Sequence, residues 1–382
     1  MDNFNKNLKQ YLARLDWLLI AFAAAAAVYG ILLVKSATNP LGSAKSVIVQ
    51  LIAAALGFAA MFIIARFDYE HILKYWPVLY AAALAALVLA IVLGRADPDA
   101  VTRRWINIPF IGLNVQPSEF VKVLYAMVYA KILDLRKNKL NHPLNVLLFC
   151  VVAASFILLI VDDLGSALVF AFMFLCMSFA AGVNPLYFIG AGAVMTVIVS
   201  FFGEYIWNLL GKFRQDRILS FLNPEFDPQG AGYHVMRSKM AIGSGGLFGQ
   251  GFQRGAMIQA PTLSGRVPAQ STDFIFAVAG QEFGLIGCVL LIALLAMVII
   301  RVWNAARTAR EPVGSLICVG IMAMFMAQSV ENIGMCLGLL PVTGITLPFF
   351  SYGGSSVLAC LFALGIVQSV NARKNIYFFS KD

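Results

Sequence analysis

The sequence predicts an all-α polytopic membrane protein of about ten transmembrane helices, with one long extracytoplasmic loop between spans seven and eight. Two observations carry this. Of 382 residues, 60% are hydrophobic and 12% charged, about half the charged fraction of an ordinary soluble domain. Apolar runs long enough to cross a bilayer, roughly 17–25 residues, recur along the whole length.

The runs fall at about 16–35, 45–66, 75–94, 118–134, 143–160, 163–182, 185–203, 272–301, 313–339 and 347–371. The first 15 residues are polar, and the run after Asp16 is long enough to span, so it reads as an uncleaved anchor. With the N-terminus inside, the inner segments hold 15 Lys and Arg residues and the short outer loops five: Lys35, Lys45, Arg95, Arg103 and Arg104. The positive-inside rule then places both termini in the cytoplasm. The segment of about 204–271 is one long outer loop, carrying Lys212, Arg214, Arg217, Arg237, Lys239, Arg254 and Arg266. A loop of that length is largely exempt from the rule. Its basicity calls for an anionic partner, lipid headgroup or phosphorylated ligand, and nucleic acid is excluded because these cations face outward.

The six cysteines lie inside predicted spans and read as packing residues. The three histidines are far apart and no CxxC occurs, so no zinc site is expected. The chain reads as a single membrane domain, 1–382, without a convincing internal repeat. Within the outer loop, turn signals stand at Asn223-Pro224, Asp227-Pro228 and Gly230-Ala-Gly232, and 233–242 is expected as a short surface helix. The glycines at 243, 245, 246, 249 and 251 let backbone approach closely, either a ligand phosphate or other spans. No Gly-Lys-Ser/Thr follows, so this is not a nucleotide P-loop. In 339–356, two prolines and a Gly-Gly pair break an apolar run, and irregular backbone at that depth must be buried in protein or line a wet cavity.

Ionisable residues gather at the outer ends of the predicted helices. Pro117-Ser118-Glu119 is a good helix start, and Glu119 and Lys122 stand three apart, where a salt bridge can form. Asp162 and Asp163 occupy the tight connection between spans five and six. Asp273 opens span eight, as a cap or as a reactive group, and Glu282 lies nine residues deeper, about 13 Å along a helix, too far to form a dyad with it. A carboxylate at that depth is functional by default. A basic outer face, a glycine-rich loop, broken backbone and an acid at a cavity rim suit a phosphorylated lipid whose head is worked on outside.

Several motifs resemble those of the SEDS family (RodA, FtsW, SpoVE), and most those of its RodA branch. They are Arg104-Trp-Ile106, Gln116-Pro-Ser-Glu119 with Lys122, Asp163-Leu-Gly165, Arg217-Ile218 with Phe221-Leu-Asn-Pro224, and Ser238-Lys-Met-Ala-Ile-Gly-Ser-Gly-Gly246. Further along stand Thr272-Asp-Phe-Ile-Phe276, Asn332-Ile-Gly-Met335, Leu340-Pro-Val-Thr-Gly344 and Ser351-Tyr-Gly-Gly-Ser355. The resemblance implies a ten-span peptidoglycan glycosyltransferase that polymerises lipid II on the outer face of the bacterial cytoplasmic membrane during cell elongation. Its implied partners are a class B penicillin-binding protein and other elongation-complex membrane proteins. A lipid II flippase and a non-catalytic scaffold are the competing roles.

By position, Asp273 matches the family's essential aspartate. A pyrophosphate leaving group needs cations rather than a proton donor, so one carboxylate suffices as general base for an inverting β-1,4 transfer. Arg104, Lys122, Arg217 and Lys239 would neutralise pyrophosphate, with Glu119, Asp163 and Glu282 completing the substrate-binding set. A divalent cation, magnesium or manganese, could be shared by Asp273 and the donor, although no dedicated ligand set is present. The chain departs from the family pattern at Ala269 and Ser271 before the aspartate, and at Gln281, Val161 and His234.

Overall fold

The computed structural model describes residues 13–42, 44–96, 103–108, 113–160, 163–209, 211–223 and 230–373. Asp162, Val161, the Asp227-Pro228 turn signal and the extreme N-terminal lysines lie outside them. Arg104 is described in its backbone only.

Each of the ten predicted runs coincides with a helix: α1 (Trp17–Thr38), α2 (Ala44–Arg66), α4 (Trp76–Leu93), α5 (Pro117–Leu135), α6 (Pro143–Leu159), α7 (Leu164–Ala181), α8 (Pro185–Leu209), α11 (Ile275–Thr308), α12 (Pro312–Leu337) and α13 (Gly354–Ala372). Three shorter helices complete the set: α3 (Tyr69–Leu73), α9 (Lys212–Leu222) and α10 (Ala231–Ser244). The surface helix expected at 233–242 is α10. Among the described residues eight helices are long and apolar enough to cross a membrane. Of the other two, α6 has 17 residues, while α5 carries Glu119, Lys122, Lys131 and Asp134.

Local chemistry sets the ends. Proline stands in the first turn of α4, α5, α6 and α12, where the missing N–H has no helical partner to lose. Asp16 and Asp163 cap α1 and α7 by accepting from Leu19 N and Ser166 N.

The sequence reading contained no strands. The structure adds a three-stranded antiparallel sheet after α4: β1 (Arg95–Ala96), β2 (Arg103–Ile108) and β3 (Leu113–Val115). Arg104-Trp-Ile106 lies on β2, with Ile106 opposite Val115. The last predicted run, 347–371, becomes helical only at Gly354, and 339–353 is irregular, as its prolines and glycines require.

α12 and α13 are the most buried spans, 78% and 89% inside their apolar windows, which makes them the centre of the bundle. α13 packs against α2, α12 against α11, α7 and α5. Small residues allow the approach: a Cβ on Gly57 would meet Leu361 Cδ1 at 2.5 Å, and one on Gly365 would meet Met61 Cα at 3.0 Å. α8 exposes its apolar surface, Phe201 and Phe202 included.

Alternating traverses collect two ends. One end gathers Ser36, the sheet, Asp163, residues 211–223, 230–274 and 338–353; the other gathers Asp16, Arg301, Gln368 and Asn371.

Candidate functional site

Asp273 sits in the last turn before α11, on the border between exposed and buried chain: it is partly exposed, while Phe274 and the helix that follows through Glu282 are buried. The N-cap residue of α11 is Phe274, which makes no side-chain cap bond, so Asp273 stands one position outside the helix. Its backbone is held from several directions. Asn332 Nδ2, from α12, donates to Asp273 O and to Ile345 O, at 2.7 Å each. Tyr352 N donates to Ser271 O at 2.7 Å, and Ser351 Oγ to Thr272 O at 2.5 Å. Gln50 of α2 in turn grips this segment, donating to Ser351 O at 3.0 Å and accepting from Gly353 N at 3.2 Å. The irregular stretch 339–353 is therefore the buckle that closes on the aspartate's turn.

Of the residues that depart from the family pattern, Ala269 and Ser271 lie in this turn, His234 beside it, and Gln281 deeper in α11. Ala269 has φ +44°, and its carbonyl accepts from the N–H groups of Thr272, Asp273 and Phe274. His234, on α10, packs edge-to-face on Phe274, with ring centroids 6.0 Å apart. Val161 is outside the described residues.

Lys239 is exposed on α10. Its neighbour Ser238 donates to Cys336 O at 2.8 Å, and Cys336 Sγ lies 3.7 Å from Asp273 O. Lys239 Nζ would stand 3.6 Å from a Cβ on Gly338, the residue that ends α12. Arg217 is half-buried on α9, which packs against α10. The structure thus places Lys239 beside Gly338 at the end of α12, next to the Ser238 that bonds Cys336, and Arg217 on the adjoining helix.

Glu119, Lys122 and Asp163 form a second, inward group. Lys122 Nζ donates to Glu119 Oε1 at 2.7 Å, the salt bridge their spacing allowed, and Gln328 Nε2 reaches Glu119 Oε2 at 3.2 Å. Lys122 is 0% exposed, so its charge is committed to Glu119 in this conformation. Asp163 Oδ2 accepts from Ser166 Oγ at 2.8 Å and from Gln116 Nε2 at 3.4 Å. Glu331, which carries no role in the sequence reading, interacts electrostatically with Lys122 and Asp163. The two groups meet across the broken segment: Ile345 packs on Gly165, just beyond Asp163, while its carbonyl shares Asn332 with Asp273.

Glu282, expected in the substrate-binding set, is bonded by the chain itself. It is 1% exposed, and both of its oxygens are engaged by the protein: Ser36 Oγ at 2.6 and 2.7 Å, Gln253 N at 3.1 Å and Gln259 Nε2 at 3.0 Å. The carboxylate ties α1, α11 and the loop after the glycine-rich stretch together. Donors from the chain itself offset the cost of burial at that depth.

The glycine-rich stretch has the same explanation. α11 breaks at Gly284 (φ 66°), which detaches the carbonyls of Gln281 and Glu282 and the N–H groups of Leu285 and Ile286 from the helix. Gln250 N and Gly251 N donate to the two carbonyls at 2.9 and 3.0 Å; Leu285 N and Ile286 N donate to Gly246 O and Leu247 O at 2.9 and 3.2 Å. Every polar group freed by the break is paired by the loop, as a low-dielectric setting demands. Gln281 adds its side-chain carbonyl, accepting from Met257 N and Ile258 N. Of the two readings of this loop, packing against other spans is the one its geometry supports.

Among the described residues no group of three or more His, Cys, Asp or Glu side chains could hold a metal ion. Asp273 offers one carboxylate, which by itself makes no ligand cage.

Residues 14–376 match the profile of the cell cycle protein family FtsW/RodA/SpoVE. The probable peptidoglycan glycosyltransferase FtsW of Geobacter metallireducens is 36% identical over 383 residues, covering 97% of this chain and 98% of that protein. A chain from a structure described as the structural coordination of polymerization and crosslinking by a peptidoglycan synthase complex superposes with TM-score 0.78 at 28% identity, over 94% of this chain and 97% of that one. The crystal structure of the Thermus thermophilus rod shape determining protein RodA gives TM-score 0.67 at 26% identity, over 94% and 96% of the two chains.

Proposed function

The chain belongs to the FtsW/RodA/SpoVE family, and from that membership and the setting of Asp273 we propose that it is a peptidoglycan glycosyltransferase of the RodA type, polymerising lipid II into β-1,4 glycan. The single observation that carries the mechanism is a partly exposed aspartate on a backbone pinned from α12 and from the 339–353 segment, at the end of the bundle that also carries the basic residues of α9 and α10.

Asp273 acts as general base. It takes the proton from the acceptor sugar's 4-hydroxyl as that oxygen attacks the donor's anomeric carbon from the face opposite the pyrophosphate, so an α-linked donor gives a β-linked product. The leaving group departs as an anion and needs positive charge rather than a proton. Lys239 and Arg217 are the cations nearest that role, with Arg104 on β2 at the same end of the bundle. Lys122 would join them only by parting from Glu119. A fixed backbone behind the base matters because small misplacements of reacting groups have large effects on rate.

The end of the bundle bearing Asp273 is assigned to the outer face and both termini to the cytoplasm, on the 15-to-5 cation asymmetry of the short loops. The chain forms one ten-span membrane domain in the inner membrane, with a class B penicillin-binding protein as partner; the similarity to a chain of a synthase complex supports the pairing.

The test is polymerisation of labelled lipid II by purified protein with its partner in detergent, where nothing has to cross a membrane. Polymer from the wild type that vanishes in Asp273→Asn supports the reading. Translocation in liposomes without polymer in any condition would mean a flippase, and wild-type growth of an Asp273→Asn strain would mean a scaffold.

A further inference from the structure

At the opposite end of the bundle from Asp273, the start of α1 and the ends of α11 and α13 enclose a cleft of about 450 Å³, lined by Asp16, Arg301, Asn304, Arg307, Thr308 and Asn371 among others. A second hollow of about 220 Å³ shares Asp16, Arg301 and Asn371 with it and extends along Arg14, Trp17 and Leu18. The larger volume falls within the roughly 300–1,000 Å³ of small-molecule sites.

Its charge is lopsided. Arg14, Arg301 and Arg307 line the two hollows against one acid, Asp16. That acid is already satisfied: Arg301 Nε and Nη2 donate to Asp16 Oδ2 at 2.8 and 2.6 Å, and Leu19 N donates to Oδ1. The pair is locked further by Gln368, which donates to Asp16 O and accepts from Asp16 N at 2.9 Å each. Arg307 is exposed and, among the described residues, forms no ion pair. The positive pole of α1 points into the same space, since Trp17 and Leu18 are its first residues. Asn304 and Asn371 add uncharged polar side chains to the wall.

The rim is apolar. Trp17 and Leu18, which line the smaller hollow, are 51% and 56% exposed, at a helix end where tryptophan marks the membrane–water boundary. A site that is cationic inside and greasy at its edge, at headgroup depth, matches a ligand with an anionic head and acyl tails.

We propose that this cleft binds the phosphodiester headgroup of an anionic glycerophospholipid, with Arg301 and Arg307 holding the phosphate and Trp17 and Leu18 lying beside the acyl chains. The proposal rests on the orientation given above only in assigning the lipid to the inner leaflet. Headgroup binding here would clamp α1 to α11, the two helices that Ser36 and Glu282 join near their other ends.

The test is native mass spectrometry of the full-length protein in detergent with phosphatidylglycerol or phosphatidylcholine added. Phosphatidylglycerol adducts should exceed phosphatidylcholine adducts at least fivefold. Arg307→Gln should lower them at least threefold, while Arg310→Gln, next to the cleft but not lining it, should leave them unchanged. Thermal unfolding of both variants without lipid should match the wild type, which separates lost binding from lost folding. Equal adducts for the two lipids, equal loss in the two variants, or displacement of the lipid by equimolar inorganic phosphate or hexaglutamate would overturn the proposal. No glycan substrate enters the measurement, so a chain that binds this lipid but makes no polymer would refute the polymerase reading alone, and the converse result this site alone.

Discussion

Asn332 Nδ2 bonds Asp273 O and Ile345 O, both at 2.7 Å, so one buried amide holds the Asp273 turn to the broken segment before α13. Asn332→Ala leaves two carbonyls without that donor and should cost about 1–3 kcal/mol in stability. The loosened turn should lower kcat about 10²-fold, the scale expected for a misplaced reacting group, with KM little changed. Steady-state lipid II polymerisation alongside thermal unfolding checks both; a destabilised variant with wild-type kcat would mean that Asn332 is structural only.

Lys122 and Glu119 should reveal a buried pair by asymmetry. Lys122→Met strands the Glu119 carboxylate, which keeps only Gln328, and should destabilise the protein by about 3–5 kcal/mol. Lys122→Met combined with Glu119→Gln should recover most of that loss, because two neutral side chains of similar volume carry no desolvation cost. Thermal unfolding of the three proteins in one detergent decides it; a double variant no better than the single one would contradict the pairing.

The glycines of the plugging loop should differ sharply from one another. A Cβ on Gly249 (φ +78°) would meet Glu282 O at 2.2 Å, whereas one on Gly243, inside α10, meets nothing within 4 Å. Gly249→Ala should lower the unfolding temperature and the folded yield. Gly243→Ala should be neutral or stabilising by up to about 1 kcal/mol, since alanine loses less backbone freedom in a helix.

Glu282→Ala removes the acceptor for Ser36, Gln253 and Gln259 together. Limited proteolysis should then cut within 246–262 at low protease concentrations that leave the wild type intact. Glu282→Gln, which keeps one acceptor oxygen, should fall between the two. Protection unchanged in Glu282→Ala would show that the loop is held by its backbone bonds alone.

What was legible in the sequence follows the range of the physics involved. Hydrocarbon thickness acts on every 20-residue window separately, so each of the ten runs could be matched to a helix; the shortfall at 347–353 and the extension of α11 to Thr308 are the largest misplacements and lie at helix ends. The Glu119–Lys122 bridge was legible because its partners lie one turn apart. Asp273 could be singled out by its motif and by the oddity of an acid opening an apolar helix. The roles of Glu282, Asn332 and the glycine loop were not legible. Glu282 finds Ser36 246 residues away, Asn332 meets the aspartate's carbonyl 59 residues away, and the glycines answer a break in a helix that begins 30 residues later. A buried polar group reads the same in sequence whether it waits for a ligand or is already satisfied by distant chain. Only the tertiary fold brings the donors to Glu282 within reach, and only the tertiary fold leaves Asp273 at the boundary between buried and exposed chain.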